Sequence, residues 1–167
     1  MTPPSERTLI VLRHAKSDWS GGQADIDRTL NARGQSQAPD AGGWLAEHFP
    51  TIDLAVVSPA ARARATWALA SAEFSVSPEA RVDDRAYAAS VNDLLEIVRE
   101  LPDQLRTVIL VAHNPGLEGL VSALTGESVT LSTSSLAVLG LPGPWSELAS
   151  STAVLVASGR VSRDGLG

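Results

Sequence analysis

Apolar residues gather in short unbroken blocks along the chain, and the first block, Leu9-Ile10-Val11-Leu12, ends abruptly in Arg13 and His14. An apolar run without polar alternation reads as a strand covered on both faces, the arrangement of a parallel sheet with helices on each side. Asp53 to Val57 and Leu105 to Ala112 repeat the pattern, the latter as the most apolar strand of the chain. After each block the chain turns polar. Ser135 to Leu139 and Thr152 to Ala157 are further strands. The proline- and glycine-rich connection from Gly140 to Trp145 suits an edge hairpin rather than a crossover helix, so this side of the sheet is expected to be antiparallel.

Helical spacing fills the gaps. Val91, Leu94, Leu95, Val98 and Leu101 recur at intervals of three and four after a capping box of Ser90 and Asp93, and Pro102 ends the helix. Leu117, Leu120, Val121 and Leu124 form the buried face of a helix that opens with Asn114 as N-cap and Pro115 as first residue and stops at Gly126. Ser58 and Pro59 predict the same kind of start for an alanine-rich helix over 59–72, with Trp67, Leu69 and Ala70 for packing. Asn31 caps a short turn over 31–37. Pro39 has no N–H to donate and clashes with the preceding turn, which predicts a break there and a helix from Pro39 to about His48. Trp44, Leu45 and His48 share a face of it, with His48 a bystander. Phe74 to Pro78 reads as a short extended piece and 79–87 as a polar connection. Ser17 to Leu30 carries paired glycines and no periodicity, so it is a loop leaving the strand end that bears His14, and one rim of any site there. Residues 159–167 are expected to fray.

These elements predict an α/β three-layer sandwich: a mostly parallel central sheet, helices on both faces, and an antiparallel edge near the C-terminus. The whole of 1–167 is expected to form one domain with an ordered core of about 8–158. A chain of 167 residues, 44% hydrophobic, can build its core without metals or disulfides.

Composition then removes function classes. The chain has no cysteine, which excludes thiol chemistry and thiolate metal sites and suits a reducing compartment. Residues 1–7 are polar and unlike a secretory signal, and no apolar run approaches the roughly 18 residues that span a bilayer, so a cytoplasmic protein without membrane partners is expected. The formal charge of −6, from 13 basic and 19 acidic side chains, opposes a polyanion, and no basic stripe with aromatics offsets it; nucleic acid is not an expected partner. The three histidines are far apart and show no metal-ligand spacing, and no glycine-rich nucleotide loop follows the first strand. Neither metal nor cofactor is expected.

The remaining chemistry stands at the strand ends. In a parallel sheet Arg13, His14 and His113 share the carboxyl edge, where α/β sheets collect ligands. Arg62, near a helix N-terminus where a cation is electrostatically misplaced, makes sense with an anion bound beside it; Thr66 lies one turn on, on the same side, and Arg64 points elsewhere. Two guanidinium groups and two imidazoles at one edge suit phosphoryl transfer, which is mostly positioning and charge neutralisation. His14 beside Arg13 sits in a field that disfavours imidazolium and keeps a nucleophilic nitrogen free; His113 becomes the opposing donor.

The segments Leu12 to Lys16, Ser58 to Ala63 and Val111 to Gly116 resemble, in that order, the motifs of the histidine phosphatase superfamily, and within it the small SixA-type phosphohistidine phosphatases. The resemblance runs from about residue 8 to the last strand. It implies that His14 is the phosphorylated nucleophile, that Arg13, Arg62 and His113, with Asn114, bind phosphate, and that a metal-independent phosphatase works by a ping-pong route. Ala15 stands where the superfamily usually has glycine. The general acid is open: superfamily members place a carboxylate on a loop after the second motif or directly after the second histidine, where this chain has Asn114, so Asp84 or Asp83 are the candidates. The expected substrate is phosphohistidine on a protein, which needs less proton donation than an ester; a small phosphate ester, or a binding module without catalysis, are the alternatives.

Overall fold

The computed structural model describes residues 6–162 and 164–167; the expectation of no signal in residues 1–7 lies mostly outside them. Seven strands form one sheet in the order β3-β2-β4-β1-β5-β6-β7. They are β1 (Arg7–Arg13), β2 (Leu54–Val57), β3 (Ala80–Val82), β4 (Thr107–Ala112), β5 (Ser135–Leu141), β6 (Val154–Ser162) and β7 (Gly165–Leu166). β3, β2, β4 and β1 run parallel, and β5 to β7 are antiparallel. β1 therefore lies at the boundary between the two kinds of pairing, and β2 and β4 have parallel neighbours on both sides.

The unbroken apolar blocks are explained by two-sided cover. Leu9 and Val11 face a core shared with α3 (Val91–Arg99) and α4 (Gly116–Thr125), while Ile10 and Leu12 face α1 (Ala32–His48) and α2 (Ala61–Ser71). All four side chains are fully buried, each stabilising the fold by roughly 1.5–3 kcal/mol relative to exposure. The expected sandwich, with its antiparallel edge, is the observed one. No helix among the described residues is long and apolar enough to cross a membrane.

Several boundaries differ from expectation. Helix α1 is continuous through Pro39, because Gly34 and Ala38 on one side and Ala41, Gly42 and Leu45 on the other are buried together, and that burial outweighs one lost bond. Helix α2 begins at Ala61, so Pro59 does not open it. Helix α4 begins at Gly116, after a cis Asn114–Pro115 bond. The segment 74–78 forms no strand and bends over 74–76, and the extended piece is β3, whose three residues are exposed and so carry no apolar signal. Residues 159–162 and 165–166 belong to β6 and β7.

Candidate active site

The parallel register brings three chain switches to one edge. Arg13 pairs with Ala112 and Val57 with Val111; the ladder continues one residue further, with the His14 amide donating to Ala112 O at 3.1 Å and the Ser58 amide to Val111 O at 2.9 Å. His14, Ser58 and His113 thus leave adjacent strands side by side, and the two imidazole centroids are 5.1 Å apart. Buried Thr66 ties α2 to this edge: its Oγ1 accepts from the Ala15 amide at 2.9 Å and donates to Arg62 O at 2.7 Å. From the other side the Ser134 amide donates to the carbonyls of both Arg13 and His14. Together Arg13, His14, Arg62, His113 and Asn114 line a polar cavity of about 200 Å³, with Ser17, Trp19 and Arg28 of the 17–30 loop as its rim.

The protonation of His14 follows from its neighbour. Its Nδ1 lies 2.8 Å from Ala15 O; a carbonyl only accepts, so Nδ1 carries the proton and Nε2 of the neutral ring keeps its lone pair. Burial pushes the imidazole down to about 3, with the Ala15 bond opposing and the guanidinium charges of Arg62 and Arg13 adding to the shift. Burial, then Arg62, lowers His113 to about 4, with Asp25 opposing. Both rings are therefore neutral at physiological pH. Around them Arg13 Nε, Arg62 Nε and His113 Nδ1 are buried without a hydrogen-bond partner, a cost that an anion accepting from them would relieve.

The structure brings Arg13, His14, Arg62 and His113 to one cavity and leaves the carboxylate candidates outside its lining. Asp83 accepts from the Arg85 amide and guanidinium at 2.8–3.1 Å, which holds its carboxyl below the usual range. Neither Asp83 nor Asp84 lines the cavity. The carboxylate at the site is instead Asp25. It accepts from Arg62 Nη2 at 3.1 Å, from Arg28 Nε at 3.1 Å and from the Tyr87 hydroxyl at 2.5 Å, and its backbone carbonyl accepts from Arg62 Nη1 at 2.7 Å. The Tyr87 bond above all, with Arg62 and Arg28, holds its carboxyl well below the usual range. So the anion that the sequence position of Arg62 called for is partly supplied by the protein. The 17–30 loop is fastened across the site by this contact, and Tyr87 stands edge-on to His113 at 5.6 Å. Asn114 lines the cavity, but its Nδ2 donates to Leu131 O and its Oδ1 accepts from the Glu118 amide, which makes it a brace for the chain around 131. Arg64 is bonded to Pro59 O and exposed, and His48 stacks on Trp44 and does not line the cavity.

Residues 9–115 match the family model of the histidine phosphatase superfamily, branch 1. The chain belongs to that superfamily. An uncharacterized protein of Mycobacterium tuberculosis is 34% identical over 156 residues, covering 87% of this chain and 96% of its own length. Among solved structures, that of a protein named phosphohistidine phosphatase SixA from Nakamurella multipartitia superposes with a TM-score of 0.84 at 29% identity, over 95% of this chain and 98% of the other. A counterpart so named from Agrobacterium tumefaciens gives 0.78 at 28% identity, over 91% and 96%. As a histidine phosphatase the protein is a phosphohydrolase that turns over through a phosphohistidine enzyme intermediate. Its fold, with the SixA-type proteins as close structural matches, places the junctions after β1, β2 and β4 at one edge.

Proposed function

We propose that His14 is the nucleophile, that Arg13 and Arg62 hold the transferred phosphoryl group with His113 as the opposing donor, and that the substrate is phosphohistidine carried on a protein. The observation that supports this most is a neutral imidazole whose Nδ1 is already committed to Ala15, beside three buried nitrogens without partners. His14 Nε2 attacks phosphorus, the P–N bond to the substrate imidazole breaks, and the departing nitrogen takes a proton from solvent. Water then attacks the same phosphorus, the His14–P bond breaks, both hydrogens of the water leave with inorganic phosphate, and neutral His14 is restored. The guanidinium groups supply the charge neutralisation throughout.

The substrate class follows from what the site cannot donate. Asp25 is ionised, Asp83 is tied to Arg85, both imidazoles are neutral, and the Tyr87 phenol is pushed up by its bond to Asp25. An alkoxide leaving group gains about 10²–10⁴-fold from a positioned acid, whereas an imidazole leaves with less help. The SixA name of the relatives from Nakamurella and Agrobacterium agrees with this reading.

The test is rapid quench at alkaline pH with a ³²P-labelled histidine phosphotransfer domain, followed by peptide mapping. Label on His14, and none in His14→Asn, is the expected result; label on His113 overturns the nucleophile. In the same system kcat/KM for the phosphohistidine donor should exceed that for alkyl phosphates by about 10²-fold or more. A preferred metabolite ester would replace the substrate half of the proposal and leave the nucleophile intact.

A further inference from the structure

Ser58 reads as a helix cap in the sequence, yet α2 starts beyond it, at Ala61. Its hydroxyl has other work. The side chain is fully buried, and Oγ has two neighbours in hydrogen-bond reach: the Ala60 amide at 3.2 Å and His113 Nε2 at 2.7 Å. The amide can only donate, so Oγ accepts from it. The hydroxyl proton then has one acceptor within reach, His113 Nε2, and a buried hydroxyl that withheld its proton from that nitrogen would leave a donor unsatisfied. Given a donor at Nε2, a neutral ring carries its own proton on Nδ1. That is the buried His113 nitrogen without a partner.

From this geometry we infer that Ser58 is a positioning residue that fixes the tautomer of His113, so that the ring presents an Nδ1–H donor to the phosphoryl group. The inference rests on the role proposed above for His113 and adds the device that sets it. The opposite tautomer would put a lone pair at Nδ1, toward which an anionic oxygen is repelled, and the ring would oppose the phosphate it is placed to hold. Arg13 and Arg62 cannot lose their donors by tautomerism; an imidazole can, and so it alone needs a partner that decides the proton's place. The Ala60 amide contributes by occupying the hydroxyl's acceptor side, which orients the O–H toward the ring.

The decisive measurement is ¹⁵N NMR of the full-length protein labelled in its histidines at neutral pH, with His14→Asn and His48→Asn samples to assign the resonances. Protonated and unprotonated ring nitrogens separate widely. The expected spectrum shows His113 with a protonated Nδ1 and a bare Nε2; a protonated Nε2 overturns the inference. This arm involves no substrate, so its failure leaves the phosphatase proposal standing, and the wild-type spectrum decides irrespective of any variant's stability. In Ser58→Ala the His113 proton should redistribute toward Nε2, and kcat should fall by about 10- to 100-fold, the scale on which outer partners that fix an imidazole tautomer act. Ser58→Thr, which keeps the hydroxyl, should retain the Nδ1–H form. An Nδ1–H ring in Ser58→Ala with unchanged kcat would show that Ser58 does not set the tautomer, and would also overturn it.

Discussion

At the scale of single residues, Asp25 decides how Arg62 is presented. Its side chain is about half exposed, yet its carboxylate and its carbonyl together take both terminal nitrogens of Arg62, leaving Nε as the unpartnered one. A guanidinium held along one edge offers the other edge in a fixed plane, which is how a bidentate clamp is made rigid. The same carboxylate brings a negative charge close to the phosphate site, so it orients the clamp at some expense in anion affinity. Asp25→Asn separates the two effects. Losing the charge loosens Arg62 and lowers kcat, by roughly tenfold on the scale of lost positioning, while inorganic phosphate inhibits the variant at least as tightly as wild type. Steady-state kinetics with phosphate as inhibitor check this; weaker phosphate inhibition with unchanged kcat would mean that Asp25 serves anion binding directly. Arg13, His14, Arg62 and His113 were legible in the chain because each stands at a switch from an apolar block to polar residues. Asp25, Ser58 and Tyr87 were not, since their roles arise only when segments 37 to 62 residues apart in sequence meet. Asp83 stays out of the cavity lining for the complementary reason: its partner Arg85 is two residues away and holds it locally.

Among the elements, α2 carries Arg62, and its approach to α1 is set by glycine. A Cβ at Gly42 would lie 2.2 Å from Ala70 O and 2.5 Å from Ala70 Cα, backbone atoms that cannot turn aside, whereas a Cβ at Gly43 would meet nothing within 4 Å. Gly42→Ala should therefore destabilise by about 1–3 kcal/mol or more through overpacking, while Gly43→Ala should stabilise by about 0.5–1 kcal/mol through helix propensity. Urea titration of both variants measures the contrast; equal effects would show that α1 does not press on α2 as described. Close helix contact also explains Pro39. In sequence a mid-helix proline reads as a break, but Gly34, Ala38, Ala41 and Gly42 are small residues on one buried stripe, and the stripe runs through the proline without interruption. Sheet order was legible for the opposite reason. Strands buried on both faces have an unbroken apolar signature, which β1, β2 and β4 show, while exposed β3 has none. At Ser90 and Asp93 the capping box formed as expected because all its partners lie within four residues.

For the molecule as a whole, the acidic charge balance coexists with a buried cluster of neutral histidines, and this ties stability to pH. The folded state lowers His14 to about 3 and His113 to about 4, from an ordinary value near 6.5, chiefly because burial penalises the charged ring. Below pH 6.5 the unfolded chain takes up protons at these positions that the folded chain refuses. Stability rises with pH wherever the unfolded state binds more protons, so it is level above about 6.5 and falls as pH drops from there toward 4. Asp25 adds a second loss at lower pH, beginning as pH falls through the ordinary carboxylate range, because its folded form is held ionised by Tyr87, Arg62 and Arg28. The two contributions separate in variants. Wild type should lose urea stability steadily between pH 6.5 and 4.5. His14→Asn, which has no imidazole to keep neutral, should show a shallower slope over the same window, and His48→Asn, an exposed histidine stacked on Trp44, should keep the wild-type slope. Urea midpoints across that range are the measurement. A wild-type stability flat from pH 8 to 4.5 would mean that the two histidines are not buried neutral in solution, and the neutral nucleophile proposed for His14 would fall with it.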